Sequence, residues 1–264
     1  MTVVMGILNV TPDSFSDGGL FADVEQAVAR GIQMHAEGAD FVDVGGESTR
    51  PGAERISAEE EQRRVLPVIR ELVASGIAVS IDTMNAQTAL AAADAGVAVI
   101  NDVSGGLVDR EMYRAVADTG LTYIAMHWRG VGSDQRADYA DVVTDVRAEL
   151  TVRLSEMAES GIDPGRVVLD PGLGFAKNAE HNWQLLGRLD ELASLGHPLL
   201  IGASRKRFLV QFAPEGAPAS ARDAASVVVA ALAARSGVWG VRVHDVEETR
   251  VALRVADAWT NGAR

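Results

Sequence analysis

The sequence contains no cysteine, and that absence removes several kinds of chemistry. Without a thiol the chain has no disulfide bridges, no thiolate nucleophile, no zinc–thiolate site and no cysteine-ligated iron–sulfur cluster. No apolar run is long enough to span a bilayer. The first fifteen residues lack a basic stretch and reach a proline and an aspartate early, unlike a secretory signal peptide. We therefore expect a cytoplasmic protein.

Positive charge is also scarce. The formal net charge is −13, and only two lysines occur, Lys177 and Lys206. Such an acidic surface repels nucleic acid and anionic membranes, so neither is expected as a partner. If the substrate is an anion, the few cationic ligands must be concentrated around it. Hydrophobic residues make up 47% and charged residues 23% of the chain, the balance of a globular protein with a sizeable core.

Eight short apolar runs are spread along the chain and alternate with longer segments of helical periodicity. The runs are rich in Val and Ile and hardly alternate in polarity, which is typical of parallel strands buried on both faces. They span residues 3–8, 41–45, 78–82, 98–102, 122–126, 167–170, 199–203 and 240–243. The average of about 33 residues per run is ample for a strand, a helix and two loops.

The segments between the runs carry apolar stripes at helical spacing. Ser57 followed by Glu60 predicts a capping box, and Asp245 predicts the N-cap of the last helix. We expect His35 to be packed on the first helix and Trp259 to face inward on the last. The predicted stripes are Val24, Ala27, Val28, Gly31, Ile32 and His35; Val65, Leu66, Ile69, Leu72 and Val73; Val143, Val146, Leu150, Leu154 and Met157; and Val246, Leu253, Ala256 and Trp259.

Eight strand–helix units predict an α/β protein, a closed (β/α)8 TIM barrel in which residues 1–264 form a single domain. A doubly wound open sheet is the alternative, but it usually has fewer units and a Gly-rich first turn, which is absent here. In such barrels the chemistry lies at the carboxyl ends of the strands. Polar or ionisable residues appear at every predicted strand end, more than a stabilising face would need.

Motifs at these strand ends closely resemble the dihydropteroate synthases. The matching segments are NVTPDSFSDGG (9–19), GGESTRPG (45–52), SIDT (80–83), NDVSGG (101–106), DPGLGFAK (170–177), GASRKRF (202–208) and RVHDV (242–246). Seven motifs in the same order, over roughly residues 3–260, make the resemblance specific. It implies a folate-pathway reaction that condenses (7,8-dihydropterin-6-yl)methyl diphosphate with 4-aminobenzoate to 7,8-dihydropteroate and diphosphate. It also implies a Mg²⁺ cofactor and a homodimer.

By this resemblance the pterin ligands are Asp82, Asn101, Asp170 and Lys206. A buried carboxylate can accept two parallel hydrogen bonds from the N–C–N edge of a pterin, and the resemblance gives that edge to Asp170. Asp82 would lie nearer the reactive methylene, where negative charge stabilises a developing cation. Helix N-capping is the alternative for both carboxylates, and it is more credible for Asp82. The alternatives are a turn position for Asn101 and a solvated surface position for Lys206.

The resemblance places further residues around the two substrates. Ser204 and Phe175 would border 4-aminobenzoate, with Phe175 packed on its ring. Met126 would pack against the pterin face, although a core position is nearly as good an interpretation. For His127 a structural position is favoured. The remaining substrate contacts are Thr49, Arg50 and Pro51.

The last candidates form the anion side of the site. A diphosphate needs donors from several directions, which Arg50, Arg242 and His244 would supply. Asn9 would contribute to a Mg²⁺ ion on the leaving diphosphate, with Asp17 as a weaker candidate ligand. No histidine is expected to act as a general base, because an aromatic amine is a competent nucleophile without one. The chemistry is assigned to Asp82, Asp170, Lys206, Arg242 and His244.

Two other functions remain as alternatives: a pterin-binding methyltransferase acting on methyltetrahydrofolate, and a non-catalytic binding paralogue. The methyltransferase would not need the diphosphate residues around Asn9 and Arg50 or the Arg242–His244 pair, and all of these are present. A non-catalytic paralogue is expected to have lost parts of ESTRPG or SRKR, and both are intact.

Overall fold

The computed structural model describes residues 1–11, 19–48, 55–130 and 138–262, and for residues 19–22 the backbone alone. The eight predicted apolar runs all form β-strands. The strands are β1 (Val3–Asn9), β2 (Phe41–Gly45), β3 (Val79–Asp82), β4 (Val99–Asp102), β5 (Thr122–Met126), β6 (Val167–Asp170), β7 (Leu200–Ile201) and β8 (Gly240–Val243). Strand β7 is shorter than predicted because the chain turns at Ala203, whose carbonyl accepts a hydrogen bond from the Lys206 N–H at 3.2 Å.

The strands pair in parallel in the order β6-β5-β4-β3-β2-β1-β8-β7. A bridge between Leu169 and Leu199 joins the two ends of that order, with the Leu169 N–H donating to the Pro198 carbonyl at 2.9 Å. The bridge closes the sheet, so the predicted (β/α)8 TIM barrel is confirmed and the open doubly wound sheet is wrong.

Helices lie between the strands on the outside of the barrel. Those in the described part of the chain are α1 (Gly19–Ala36), α2 (Ala58–Ala74), α3 (Ala86–Asp94), α4 (Met112–Thr119), α5 (Val142–Glu159), α6 (Ala179–Gly187), α7 (Leu189–Ala193), α8 (Asp223–Arg235) and α9 (Val246–Asn261). None of these helices combines the length and the apolar character needed to cross a membrane.

Both predicted N-caps are confirmed. Ser57 Oγ accepts a hydrogen bond from the Glu60 N–H at 3.3 Å, and Asp245 Oδ1 accepts one from the Glu248 N–H at 3.1 Å. The carboxylate of Glu60 does not complete a capping box, since it accepts hydrogen bonds from the side chains of Arg63 and Arg64 instead. Asp245 lies two residues after the end of β8, so the N-cap of α9 also marks where the chain leaves that strand.

The prediction for Trp259 is wrong. On α9 Leu253 and Ala256 are buried as predicted, whereas Trp259 is 68% exposed. An α-helix turns by about 100° per residue, so two successive steps of three residues carry the side chain about 120° away from Leu253. Trp259 therefore leaves the buried face and lies at the surface.

The prediction for His35 is also wrong, since both His35 and Ile32 are exposed. The buried face of α1 runs instead through Ala27, Gly31 and Met34, which are spaced i, i+4 and i+7. The stripe of α1 is therefore rotated from the predicted one toward Met34.

A separate apolar cluster fills the inside of the barrel. Its buried members all come from strands, and Phe41 and Trp239 pack at its edge. The buried members are Met5, Val99, Ile124, Val168 and Leu200. This layer forms the floor below the carboxyl ends of the strands.

Candidate active site

Polar side chains follow the apolar floor at the carboxyl ends of the strands. Residues two apart on a strand point to the same face. Two residues beyond floor members Val99, Ile124 and Val168 stand Asn101, Met126 and Asp170. The register aligns Asp82 with Asn101, and Met126 with Asp170. The structure thus gathers the predicted pterin contacts at one rim of the barrel interior.

Gly202, just after β7, marks the point where three predicted site residues meet. A Cβ atom on Gly202 would lie 3.5 Å from Asp170 Oδ2, 3.7 Å from Lys206 Nζ and 3.9 Å from Arg242 Cβ. The carboxylate and the two cationic side chains therefore converge on this glycine, and a Cβ atom there would make ordinary van der Waals contact with all three.

Arg242 links two buried carboxylates across the barrel. Its Nε donates to Asp43 Oδ2 and its Nη2 donates to Asp82 Oδ2, both at 2.6 Å. Asn101 Nδ2 donates to the same Asp43 oxygen at 3.0 Å. That bond fixes the orientation of the amide, because a carboxylate accepts only from the NH2 group. Asn101 therefore keeps its carbonyl oxygen and one N–H for a ligand.

The pKa values of Asp82 and Arg242 depend on each other's charge and on that of Asp43. Burial raises the pKa of the Asp82 carboxyl, and the Arg242 guanidinium opposes that rise. Burial disfavours the charged form of Arg242, but the carboxylates of Asp43 and Asp82 outweigh it and raise its pKa. The helix-cap alternative for Asp82 is wrong, since Asn85 occupies the N-cap position of α3.

Asp170 and Lys206 form the second charged element of the site. Asp170 is buried, and its Oδ1 accepts a hydrogen bond from the Gly172 N–H at 2.7 Å. Burial raises the pKa of this carboxyl, and the Lys206 ammonium is the largest opposing influence. Lys206 Nζ donates to the Leu173 carbonyl, and burial lowers its pKa to about 8. The alternative of a solvated surface lysine is therefore wrong.

The turn after β7 directs Lys206 into the barrel. Arg205 has φ 59°, a left-handed conformation that costs a non-glycine residue about 1–2 kcal/mol. Its guanidinium donates to Asp223 at 2.7 and 2.8 Å, and its backbone N–H donates to Ser226 Oγ at 3.0 Å. Two residues of the SRKR run therefore have different roles. Arg205 fixes the turn, and Lys206 points into the site.

An apolar cluster, separate from the main core, flanks Lys206. Lys206 Nζ lies 4.8 Å from the centroid of the half-buried Phe175 ring. The cluster consists of Met84, Val103, Val108, Met126, Trp128 and Phe175. Its surface can pack against the faces of flat ring systems.

Ser204 and His244 form a hydrogen-bonded pair. Ser204 Oγ accepts from the His244 backbone N–H at 3.2 Å and lies 2.9 Å from His244 Nδ1. The Ser204 hydroxyl therefore contacts both the backbone and the ring of His244 and fixes the ring orientation. Ser204, predicted beside 4-aminobenzoate, thus lies against a predicted diphosphate ligand.

A cavity of about 270 Å³ opens beside Asn9 and His244. Arg30 and Arg205 also line it, and each is in an ion pair, with Glu37 and Asp223 respectively. Neither arginine was predicted as a site residue.

The residues around Asn9 bear on the predicted Mg²⁺ ion. Within the described ranges, no group of three or more His, Cys, Asp or Glu side chains could hold a metal ion. Mg²⁺ usually keeps several waters and binds through one or two protein ligands together with substrate phosphates. A single Asn9 oxygen beside His244 fits a Mg²⁺ ion that arrives with a diphosphate, and it does not fit a cage built from protein alone.

Four predicted site residues, Asp17, Thr49, Arg50 and Pro51, lie outside the described residues. His127 is buried between Glu149 and Lys177, in agreement with the structural position favoured from the sequence.

Sequence analysis missed Asp43, which orients both Arg242 and Asn101. A signal was present, because a carboxylate interrupts the apolar strand FVDVG two residues after Phe41, on the face that packs at the edge of the floor.

Asp102, the neighbouring aspartate at the end of β4, has a structural role. Its carboxylate accepts hydrogen bonds from Ser104, Gly106 and Tyr123 at 2.7–2.8 Å. Its acceptor capacity is therefore used within the protein.

Comparison with known proteins agrees with this geometry. The sequence model of the family described as pterin binding enzyme matches residues 5–244. The dihydropteroate synthase of Mycobacterium leprae (strain TN) is 50% identical over 263 residues, which cover 97% of this chain and 93% of the relative. A solved structure of Xanthomonas albilineans dihydropteroate synthase with 4-aminobenzoic acid is 45% identical with a TM-score of 0.92, covering 98% of this chain and 93% of that one. The same enzyme in complex with 7,8-dihydropteroate aligns at 42% identity with a TM-score of 0.88, covering 98% and 94%.

Proposed function

The chain belongs to the family of pterin binding enzymes, and we propose that it acts as a dihydropteroate synthase. It is a transferase that condenses (7,8-dihydropterin-6-yl)methyl diphosphate with 4-aminobenzoate. The C–O bond to the diphosphate breaks, and its electron pair leaves with the diphosphate. The aromatic amine forms the new C–N bond and gives up a proton, which yields 7,8-dihydropteroate.

The observation that carries this proposal is the convergence of Asp170, Lys206 and Arg242 around Gly202. A pterin presents two N–H donors on one edge and a carbonyl acceptor beside them. Asp170 Oδ2, beside Gly202, accepts from the donor edge, while Lys206 donates to the carbonyl. Asn101, oriented by Asp43, offers a carbonyl oxygen and an N–H to the remaining ring atoms.

The protein accelerates the reaction mainly by placing charges. The dihydropterin delocalises positive charge as the C–O bond breaks, and the Asp82 carboxylate stabilises that charge. Arg242, which also binds Asp43, opposes the rise in the Asp82 pKa that burial causes and so favours the carboxylate form. His244, with Nδ1 occupied by Ser204, uses its Nε2–H as a donor to the leaving diphosphate.

The second substrate binds between Lys206 and the apolar cluster. Phe175 packs on the ring of 4-aminobenzoate, and Met126 contacts the adjacent pterin face. No histidine is needed as a general base, because the aromatic amine is a sufficient nucleophile once a cation develops at the methylene.

Magnesium is part of the proposal. Asn9 would hold a Mg²⁺ ion carried by the diphosphate, and the ion would neutralise charge on the leaving group. Titration calorimetry with Mg²⁺ should show no tight binding to free enzyme and clear binding once the diphosphate substrate is present. An Asn9→Ala variant should lose that substrate-dependent binding, whereas tight metal binding to free enzyme would contradict this scheme.

A homodimer and a cytoplasmic location are also proposed. Exposed apolar side chains form stripes at a spacing of four residues on the adjacent helices α8 and α9. The stripes consist of Val228 and Leu232 on α8 and of Val251, Val255 and Trp259 on α9. An apolar surface of this kind marks a protein interface, and the same surface on a second copy fits it by two-fold symmetry.

One assay tests the activity. The protein is mixed with Mg²⁺, the pterin diphosphate and 4-aminobenzoate, and 7,8-dihydropteroate is measured by mass spectrometry. Product is expected with wild type and should fall sharply in Asp82→Asn. The pterin alcohol, which lacks the diphosphate leaving group, should give none. Absence of product with wild type, or methyl transfer from methyltetrahydrofolate in its place, would overturn the proposal.

A further inference from the structure

The buried side chain of Lys177 donates hydrogen bonds to backbone carbonyls of the loop that follows β6. Lys177 Nζ donates to Gly172 O and Phe175 O, both at 3.1 Å, and lies 2.9 Å from His127 Nδ1. An ammonium group has three N–H donors, and three acceptors surround this one. Lys177 is only 9% exposed, and lysine is rarely buried unless its charge is paired in this way.

His127 connects the lysine to an acidic side chain. Burial lowers the pKa of His127 to about 4, with the Lys177 charge acting in the same direction, so the ring is neutral at physiological pH. Because Nδ1 accepts from Lys177, the ring proton lies on Nε2 and donates to Glu149 Oε2 at 3.0 Å. Arg129 also binds Glu149. The carboxylate, the imidazole and the ammonium therefore form one chain of hydrogen bonds that ends on the loop.

The loop needs this support because its backbone is unfavourable. Gly172 and Gly174 have φ values of 70° and 78°, and Ala176 has φ 46°. The left-handed conformation costs a residue with a Cβ atom about 1–2 kcal/mol, so Ala176 must be held in place by other contacts. The two lysines of the chain share that task, with Lys206 binding Leu173 O and Lys177 binding the carbonyls on either side.

We propose that Lys177, oriented by His127 and Glu149, is a positioning residue for the second substrate. It fixes the 172–175 carbonyls so that the Phe175 ring stands beside Lys206, where the proposed function places 4-aminobenzoate. Lys177 acts through the loop and makes no contact with substrate, since its three donors are used within the protein. This inference rests on the proposed function for the identity of the second substrate.

Lys177→Met keeps the apolar stem and removes the three donors. The KM for 4-aminobenzoate should rise about tenfold or more, the change expected when a buried charge-assisted contact is lost. The Kd for the pterin alcohol should change by about twofold at most, because three of its four proposed ligands, Asp82, Asn101 and Asp170, stand at strand ends. Isothermal titration measures the pterin Kd, and steady-state kinetics measures the KM.

Two substitutions at His127 separate its contacts. An asparagine amide oxygen can replace Nδ1 toward Lys177, whereas a glutamine amide reaches the Nε2 position toward Glu149. His127→Gln should therefore resemble Lys177→Met, and His127→Asn should be milder. Tyr123→Phe is the matched control, since it removes a buried hydrogen bond to Asp102 outside the loop. It should lower stability and leave the KM for 4-aminobenzoate near the wild-type value.

A measurement on the wild-type protein complements the variants. With only two lysines, labelling at ¹⁵Nζ gives two signals. Burial lowers the pKa of Lys177 to about 7, so its ammonium is protonated at about pH 6. Its protons should exchange slowly in wild type and rapidly in His127→Gln.

The outcomes separate this inference from the proposed function. If wild type makes no dihydropteroate, the proposed function fails. If wild type is active but Lys177→Met keeps a normal KM for 4-aminobenzoate, the positioning role fails. Equal losses for both substrates, shared by Tyr123→Phe, would show general destabilisation and would also overturn the positioning role.

Discussion

Asp170 and Asp102 are both buried aspartates at the carboxyl ends of strands, β6 and β4, yet their hydrogen-bond partners give them different roles. Asp102 accepts four hydrogen bonds from three residues of the protein, whereas Asp170 accepts one from Gly172 and has its second oxygen beside Gly202 and Lys206. The number of internal donors thus distinguishes a structural carboxylate from a binding one. The sequence could not make that distinction, because the donors come from loops.

Asp170→Asn should weaken pterin binding by about 1–3 kcal/mol, because the amide turns a donor toward the donor edge of the ligand. Titration with a pterin alcohol measures the loss. Asp102→Asn is the matched control and should lower the unfolding temperature while folded protein binds pterin normally. An Asp170→Asn variant that binds as tightly as wild type would remove Asp170 from the ligand set.

The charge on Lys206 predicts a pH dependence of pterin affinity. Burial lowers the pKa of this lysine to about 8, and only the protonated form donates with a full charge to the pterin carbonyl. Affinity should therefore be constant below that pKa and fall above it, by at most about tenfold per pH unit. Lys206→Met should bind weakly and lose this alkaline inflection. An unchanged inflection in the variant would assign it to another group.

Lys206, Asp82 and Asn101 could be predicted because each lies within a motif or directly at a strand end. The partnership of Asp43 with Arg242 could not, because these residues are 199 positions apart and meet only when the barrel closes. Contacts across the closed barrel are set by register and strand order, which local sequence does not encode.

At the scale of elements, strands were predicted more accurately than helix faces. A parallel strand buried on both sides gives a continuous apolar run whose ends are visible in the sequence. A helix face depends on a rotation of about 100° per residue, so an error of one position moves the stripe, as at His35 and Trp259. The alanine-rich composition of α8 adds to the ambiguity for that helix, since alanine suits either face.

Replacing Gly172, in the loop after β6, should destabilise the protein much more than replacing Gly196, which follows α7. A Cβ atom at Gly172 would lie 2.1 Å from the His127 backbone carbonyl oxygen, while one at Gly196 would meet nothing within 4 Å, although both have positive φ. Gly196→Ala should cost about 1 kcal/mol of unfolding free energy from backbone strain alone. Gly172→Ala should cost about 3 kcal/mol, because backbone must move. Urea unfolding measures both, and equal costs would contradict the close packing of loop and strand.

At the scale of the whole molecule, counting strand–helix units was sufficient to predict the barrel, because eight parallel strands close on themselves. The predicted homodimer came from resemblance, and no surface could be assigned to it from the sequence. The placement of Trp259 explains why. An inward tryptophan would have left a weaker stripe on α9, whereas the exposed ring extends the row formed by Val251 and Val255.

The proposed dimer makes a prediction that separates assembly from ligand binding. Val255 is 61% exposed in the centre of the α9 stripe, and a lysine there would place a charge between two copies of the same apolar surface. Val255→Lys should therefore convert a dimer into a monomer in sedimentation experiments. Because pterin ligands lie inside the barrel, the Kd for the pterin alcohol should stay within about twofold of wild type. Ile32→Lys, at an exposed apolar position on α1, is the control and should remain dimeric. A wild-type protein that sediments as a monomer, or a Val255→Lys variant that stays dimeric, would place the interface elsewhere.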